Sequence, residues 1–170
     1  MLTLRMKTDK TGILAISAAK MLALHRRSDL DNVRADYIVP VPMHRLRRWD
    51  RGVNSPDILT EELGLRLKIS VVRHLILRIR QTDLQYKLSP KGRAENMRSA
   101  FALCPPSFLA KLGFRRFSLP IVGKNILLVD DILTTGSTCN EITKVLLSAG
   151  VESVTVAVVA RAEGSFRHEG

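Results

Sequence analysis

A chain of 170 residues, 45% of them hydrophobic, suffices for one compact domain with its own core and is not the composition of a disordered segment. No apolar run approaches the ~20 residues that cross a bilayer, no signal-like apolar stretch follows the early basic residues Arg5, Lys7 and Lys10, and the two cysteines, Cys104 and Cys139, make neither a disulfide scaffold nor a four-ligand zinc site, so a cytoplasmic protein without membrane insertion is expected. The net charge of +11 is uneven, with 23 Lys/Arg against 10 Asp/Glu over residues 1–122 and 4 against 6 over residues 123–170; a basic field of this kind concentrates phosphometabolites or nucleic acid, or serves solubility alone.

Residues 11–27 place Ile13, Leu14, Met21 and Leu24 at helical spacings among alanines and end in Arg26 and Arg27, which suit a helix C-terminus. Residues 28–36 are polar and read as a loop, so that 1–36 forms an N-terminal helical segment ahead of an α/β domain over 37–170, the whole being one compact unit. Residues 37–41 read as a short strand, which Pro40 and Pro42 confine to a sheet edge or a strand end. The run Ser55-Pro56-Asp57 predicts a helix start, with Ile58, Leu59 and Leu63 as its buried stripe. Residues 71–79 are expected to be extended and residues 80–98 to form a long basic loop, a length that is usually functional or disordered. Residues 104–123, rich in Pro and Gly, read as a connection.

The last third is the most regular. Residues 125–129 are a continuous apolar run, as in a strand buried on both faces. A polar loop follows, then a helix over about 138–149 stopped by Gly150, then a β-branched strand over 154–159. Strand, loop, helix and strand make a βαβ unit with a right-handed crossover expected.

The chemistry is concentrated in residues 125–138, NILLVDDILTTGST. Asp130 and Asp131 fall at the C-terminal end of the expected strand, where open α/β sheets bind ligands. Two adjacent carboxylates are costly to crowd unless hydroxyls, cations or water meet them. Thr134, Thr135, Gly136, Ser137 and Thr138 come next, just before the helix. Such a loop can turn several backbone N–H groups and hydroxyls toward one anion, Gly136 allows close approach, and the helix N-terminus adds partial positive charge. Carboxylates for sugar hydroxyls followed by a phosphate cradle describe a ribose 5-phosphate site. The alternative is a solvated acidic turn before a helix whose Ser and Thr side chains cap only their own terminus.

The whole string, four hydrophobic residues, two acids, two hydrophobics and Thr-Thr-Gly-Ser-Thr, resembles the signature of type I phosphoribosyltransferases that binds phosphoribosyl pyrophosphate (PRPP). Residues 38–54, IVPVPMHRLRRWDRGVN, look like the corresponding block of the ComF family of phosphoribosyltransferase-like proteins, and so do Arg80, Thr82, Gln85, Leu88, Ser89, Arg93, Asn96, Ala100 and Phe101. The three blocks follow the family's order over about residues 37–161. The resemblance implies a type I phosphoribosyltransferase-like α/β fold, a mainly parallel central sheet flanked by helices with a mobile loop over the site. It implies that Asp130 and Asp131 act as the catalytic acids on the ribose 2′- and 3′-hydroxyls, and that Thr134, Thr135, Gly136, Ser137 and Thr138 hold the 5-phosphate.

By the same likeness the turn with Met43, His44 and Arg45, aided by Arg47 and Arg48, would take the pyrophosphate, with a basic surface loop or a nucleic-acid patch as the alternative. Arg80, Gln85 and Arg93 would lie on the mobile loop. Mg²⁺ would arrive on the substrate's phosphates, without a metal-binding residue of the chain's own. Asn54 is either a ligand residue or a helix cap, and Trp49 could stack on a base. Two features depart from the family: no cysteine-rich zinc ribbon is recognisable, and Val53 and Ser55 stand where an aromatic residue and Gln are usual. Two functions remain open at this point: transfer of phosphoribosyl to a nitrogen acceptor, or a binding role with PRPP, a nucleotide or single-stranded DNA in DNA uptake.

Overall fold

The computed structural model describes residues 11–42, 54–79, 99–105 and 120–161. Their organisation follows from two strands whose successive side chains are apolar on both faces. In β1 (Tyr37–Pro40) and β5 (Asn125–Leu133), Ile38, Leu127 and Val129 point to one side, while Val39, Ile126 and Leu128 point to the other. All six are essentially inaccessible to solvent. A strand of this kind is stable only between two layers.

The sheet is parallel in the order β2–β1–β5–β6, with β2 at Ser70–Val71 and β6 at Ser153–Arg161. On one face lie α1 (Ile13–His25) and α3 (Ser55–Leu67), which bring Ala15, Ala18, Ala19, Leu59 and Leu63 against Ile38 and Leu127. On the other lie α4 (Ser137–Ser148) and a small antiparallel pair, β3 (Ile76–Arg78) and β4 (Phe101–Leu103), which contribute Cys139, Ile142, Leu146, Ile76 and Phe101. This is the expected α/β architecture, a parallel sheet flanked by helices.

Several local expectations are corrected. Residues 28–32 are not loop but belong to a short helix, α2 (Arg27–Asn32), held by an Arg27–Asp31 ion pair at 2.8 Å and anchored by buried Leu30. Helix α1 turns its alanines inward, while Ile13, Met21 and Leu24 face solvent. Small side chains let α1 lie close against α3, so the large ones occupy the outer face. Residues 71–79 form two strands, β2 and β3, with a turn at 73–74. Helix α3 takes Asn54, not Ser55, as its cap residue: the Asn54 carbonyl accepts from the amides of Asp57 and Ile58, and Pro56 sits in the first turn.

Pro40 occupies the last position of β1, and β1 lies inside the sheet, between β2 and β5. β2 pairs only with Tyr37 and Ile38, so the missing Pro40 N–H interrupts no ladder on that side. At the opposite end of the sheet, Asp36 accepts from Lys124 Nζ and from the Asn125 amide, both at 2.9 Å, and Ser153 Oγ donates to Asn125 Oδ1 at 2.6 Å. These bonds tie β1, β5 and β6 together where they begin.

Candidate functional site

β1 ends where its partner does not. Its last ladder pair is Pro40 with Val129, and Val41 N still donates to Val129 O at 2.9 Å. β5 continues through Asp130, Asp131, Ile132 and Leu133, paired now only with β6 as far as Leu133–Arg161. The two acids therefore lie inside the strand and not beyond it, a correction of the expected strand end at Val129. The apolar run stops there, but the hydrogen-bonded ladder with β6 carries the extended backbone four residues further. From β1 the chain winds outward to β2, and from β5 it winds the other way to β6. The gap between the ends of β1 and β5 is thus the point where strand order reverses, the location at which open α/β sheets bind ligands.

Beyond Leu133 the chain turns through exposed Thr134 and Thr135 into α4, whose cap residue Gly136 has φ 74° and ψ 0°. An added Cβ there would meet only Leu133 Cδ1, at 3.7 Å, so the left-handed backbone, rather than lack of space, is what calls for glycine. Asn140 N donates to Gly136 O at 2.9 Å and begins the helical ladder. The earlier amides of Ser137, Thr138 and Cys139 precede that ladder. The cap residue Gly136 has no side chain to offer; Thr135 Oγ1 and Ser137 Oγ bond each other at 2.8 Å, and Thr135 Oγ1 also accepts a long bond from Ser137 N at 3.5 Å. The turn can offer backbone N–H groups, hydroxyls and a helix N-terminus to an anion.

Behind the turn, Asp130 is half-buried beneath α4. Its Oδ1 accepts from the Asp131 amide at 2.9 Å, and its Oδ2 faces Cys139 Sγ at 3.9 Å. Burial, reinforced by the neighbouring Asp131 charge, pushes the Asp130 carboxyl up to about 7, although the Asp131 amide and the Cys139 thiol both favour the ionised form. Burial and the Asp130 charge push the Cys139 thiol up to about 12, so it remains protonated and is a donor, not a nucleophile. Among the described residues no group of three or more His, Cys, Asp or Glu side chains could hold a metal ion.

The structure thus brings Asp130, Asp131, Thr134, Thr135, Gly136, Ser137 and Thr138 into one strand–turn–helix segment. Met43, His44, Arg45, Arg47, Arg48, Trp49, Arg80, Gln85 and Arg93 lie outside the described residues. Asn54 is placed as a helix cap through its carbonyl, while its side-chain Oδ1 is buried without a partner among the described groups. Cys139 was not singled out from sequence. Its position, one residue past the Thr-Gly-Ser-Thr run at the first buried site of α4, was the available signal.

Residues 105–168 match the family described as phosphoribosyl transferase domain. Competence protein F of Haemophilus influenzae is 38% identical over 125 residues, which are 74% of this chain and 50% of that protein. DNA utilization protein YhgH of Escherichia coli K12 is 31% identical over 160 residues, 92% of this chain and 64% of that protein. The chain therefore spans between 50% and 64% of the length of these curated relatives. Among solved structures, the glutamine PRPP amidotransferase from B. subtilis, complexed with ADP and GMP, superposes with a TM-score of 0.52 at 19% identity, covering 85% of this chain and 26% of that one. That likeness concerns the fold. Motif order, relatives and architecture agree in supporting a ComF-type phosphoribosyltransferase-like protein, with the type I phosphoribosyltransferase fold.

Proposed function

We propose that the segment from Asp130 to Thr138 binds PRPP or a closely related phosphorylated ribose, and that the chain transfers the phosphoribosyl group to a nitrogen acceptor with release of pyrophosphate. The supporting observation is the place of the two acids: they stand where strand order reverses, and a Thr-Thr-Gly turn behind them leads into the N-terminus of α4. In this reading Asp130 and Asp131 accept hydrogen bonds from the ribose hydroxyls. The amides and hydroxyls of Thr134, Thr135, Gly136, Ser137 and Thr138 take the 5-phosphate. Holding the sugar at two points fixes C1 relative to the incoming nitrogen, and positioning of this kind can supply much of the rate enhancement when the transition state is cationic. Mg²⁺ would enter as part of the substrate, carried by its phosphates and waters.

The test is a thermal-shift titration with PRPP plus Mg²⁺, ribose 5-phosphate, nucleoside monophosphates and pyrophosphate. PRPP and ribose 5-phosphate should stabilise the protein, by ~2.7 kcal/mol at a hundredfold excess over Kd. Stabilisation by pyrophosphate alone would contradict the reading. Pyrophosphate release in the presence of purine, pyrimidine or amine acceptors then tests transfer.

A second reading, a single-stranded-DNA role in DNA uptake, is favoured by the distribution of charge. The described residues hold 11 Lys/Arg against 10 Asp/Glu, and the remaining segments hold 16 against 6. Within the described part, Arg26, Arg27, Arg66 and Lys124 are paired with Asp29, Asp31, Glu62 and Asp36. The positive excess therefore belongs to the segments outside the described residues, in keeping with a polyanion partner and with the names of the relatives. Oligonucleotide affinity that falls steeply with salt and ignores PRPP would favour this reading.

A further inference from the structure

We infer that Cys139 is a positioning residue for Asp130, its thiol holding the carboxylate against α4 so that the opposite edge faces the ribose. This rests on the reading of the β5–α4 turn as the phosphoribosyl site. The geometry is a clamp from two directions. The Asp131 amide fixes Oδ1 at 2.9 Å, and Cys139 Sγ approaches Oδ2 at 3.9 Å from the first turn of the helix that also carries Ser137 and Thr138. One helical turn therefore touches both halves of the proposed ligand: through its amides at the phosphate, and through Cys139 at the carboxylate meant for the sugar.

Cys139 is only 4% exposed and packs in the same core cluster as Leu128, Ile142 and Leu146. Its sulfur cannot swing away without opening that core, so Asp130 and α4 are held in register. Among the described residues, the titratable groups acting on Asp130 are Asp131 on its own strand and Cys139 on α4. β6 places Val158 alongside it, and β1 ends at Pro40. No other described group offsets the loss of the thiol. A thiol is a weak donor, yet toward a buried carboxylate it favours the charged form, and that form alone accepts from both sugar hydroxyls.

Two variants separate the donor from the space it fills. Cys139→Ala removes the thiol and leaves room, whereas Cys139→Val removes it and refills the volume. The Asp130 carboxyl is followed by carbon NMR against pH without ligand, and PRPP-dependent stabilisation is measured over the same range. Both variants should move the Asp130 midpoint upward by about half a pH unit, and the onset of PRPP binding should move with it. An unchanged midpoint in both overturns the proposal, whatever PRPP does. A shifted midpoint in a protein that PRPP never stabilises would uphold the Cys139–Asp130 contact and overturn the ligand reading instead. Wild-type protein gives a check free of any folding defect: the Cys139 S–H stretching band should fall in frequency as Asp130 ionises, and a band indifferent to pH contradicts the clamp.

Discussion

The β1–β5 pair carries an aspartate near each end, and the two are treated in opposite ways. Asp36, at the end where the strands begin, accepts from the Asn125 amide and Lys124 Nζ, and these bonds hold its carboxyl below the usual carboxylate range. Asp130, at the other end, lies beneath a helix beside a second acid, and burial pushes it up to about 7. The first is a completed structural contact: its charge is balanced and its acceptors are used. The second has a like charge for a neighbour and, besides the Asp131 amide, only a thiol as donor among the described residues. A fold can tolerate such an arrangement when a ligand supplies the missing donors.

The contrast can be broken at its functional end first. Because Asp130 binds its proton more tightly folded than unfolded, it favours the folded state at low pH, and this contribution is lost as pH rises from 3.8 to about 7. Asp130→Asn removes that dependence, so in the absence of ligand it should raise stability above pH 7, by on the order of 2–4 kcal/mol at most. Denaturant melts at pH 5 and pH 8 check it; a variant less stable than wild type at pH 8 would show that the carboxylate is already compensated.

The next effect concerns the framework. A Cβ added at Gly64 of α3 would collide with Val71 Cγ2 and crowd the Ile69 carbonyl, so Gly64→Ala should cost about 1–3 kcal/mol through displacement of β2. Gly136→Ala meets no such obstacle and should cost only the left-handed backbone, about 1–2 kcal/mol, while weakening PRPP binding more than stability. The smallest change is expected from Asp36→Asn, which loses the Lys124 pair at a partly exposed position. Since the Asp36 pKa is lowered on folding, its contribution is present above the unfolded value and lost as pH falls through the folded one. Wild type and Asp36→Asn should therefore differ at neutral pH and converge in acid.

The same contrast bears on what could be read from sequence. The β5–α4–β6 unit was legible because a doubly buried strand must be continuously apolar and because Gly150, at φ 88°, ends the helix where expected. The chemistry was legible for a related reason: two acids and a Thr-Thr-Gly-Ser-Thr run cannot serve as core, so they stand out. The misread features depend on partners distant in sequence. β5 runs on to Leu133 because β6 pairs with it, and α1 hides its alanines because α3 takes the close contact. α2 owes its helix to the Arg27–Asp31 pair and to Leu30 reaching the core. Cys139 becomes informative only once Asp130 is placed beside it, since a buried cysteine in a helix otherwise reads as a small hydrophobe.

The central claim is that the acids of β5 and the first turn of α4 grip one phosphorylated pentose. Titration calorimetry of PRPP with Mg²⁺ at pH 8, on wild type and on the Asp130→Asn/Asp131→Asn variant, addresses it directly. The account predicts saturable one-to-one binding by wild type and none by the folded double variant. Equal affinity in the two proteins would place the ligand elsewhere and contradict it.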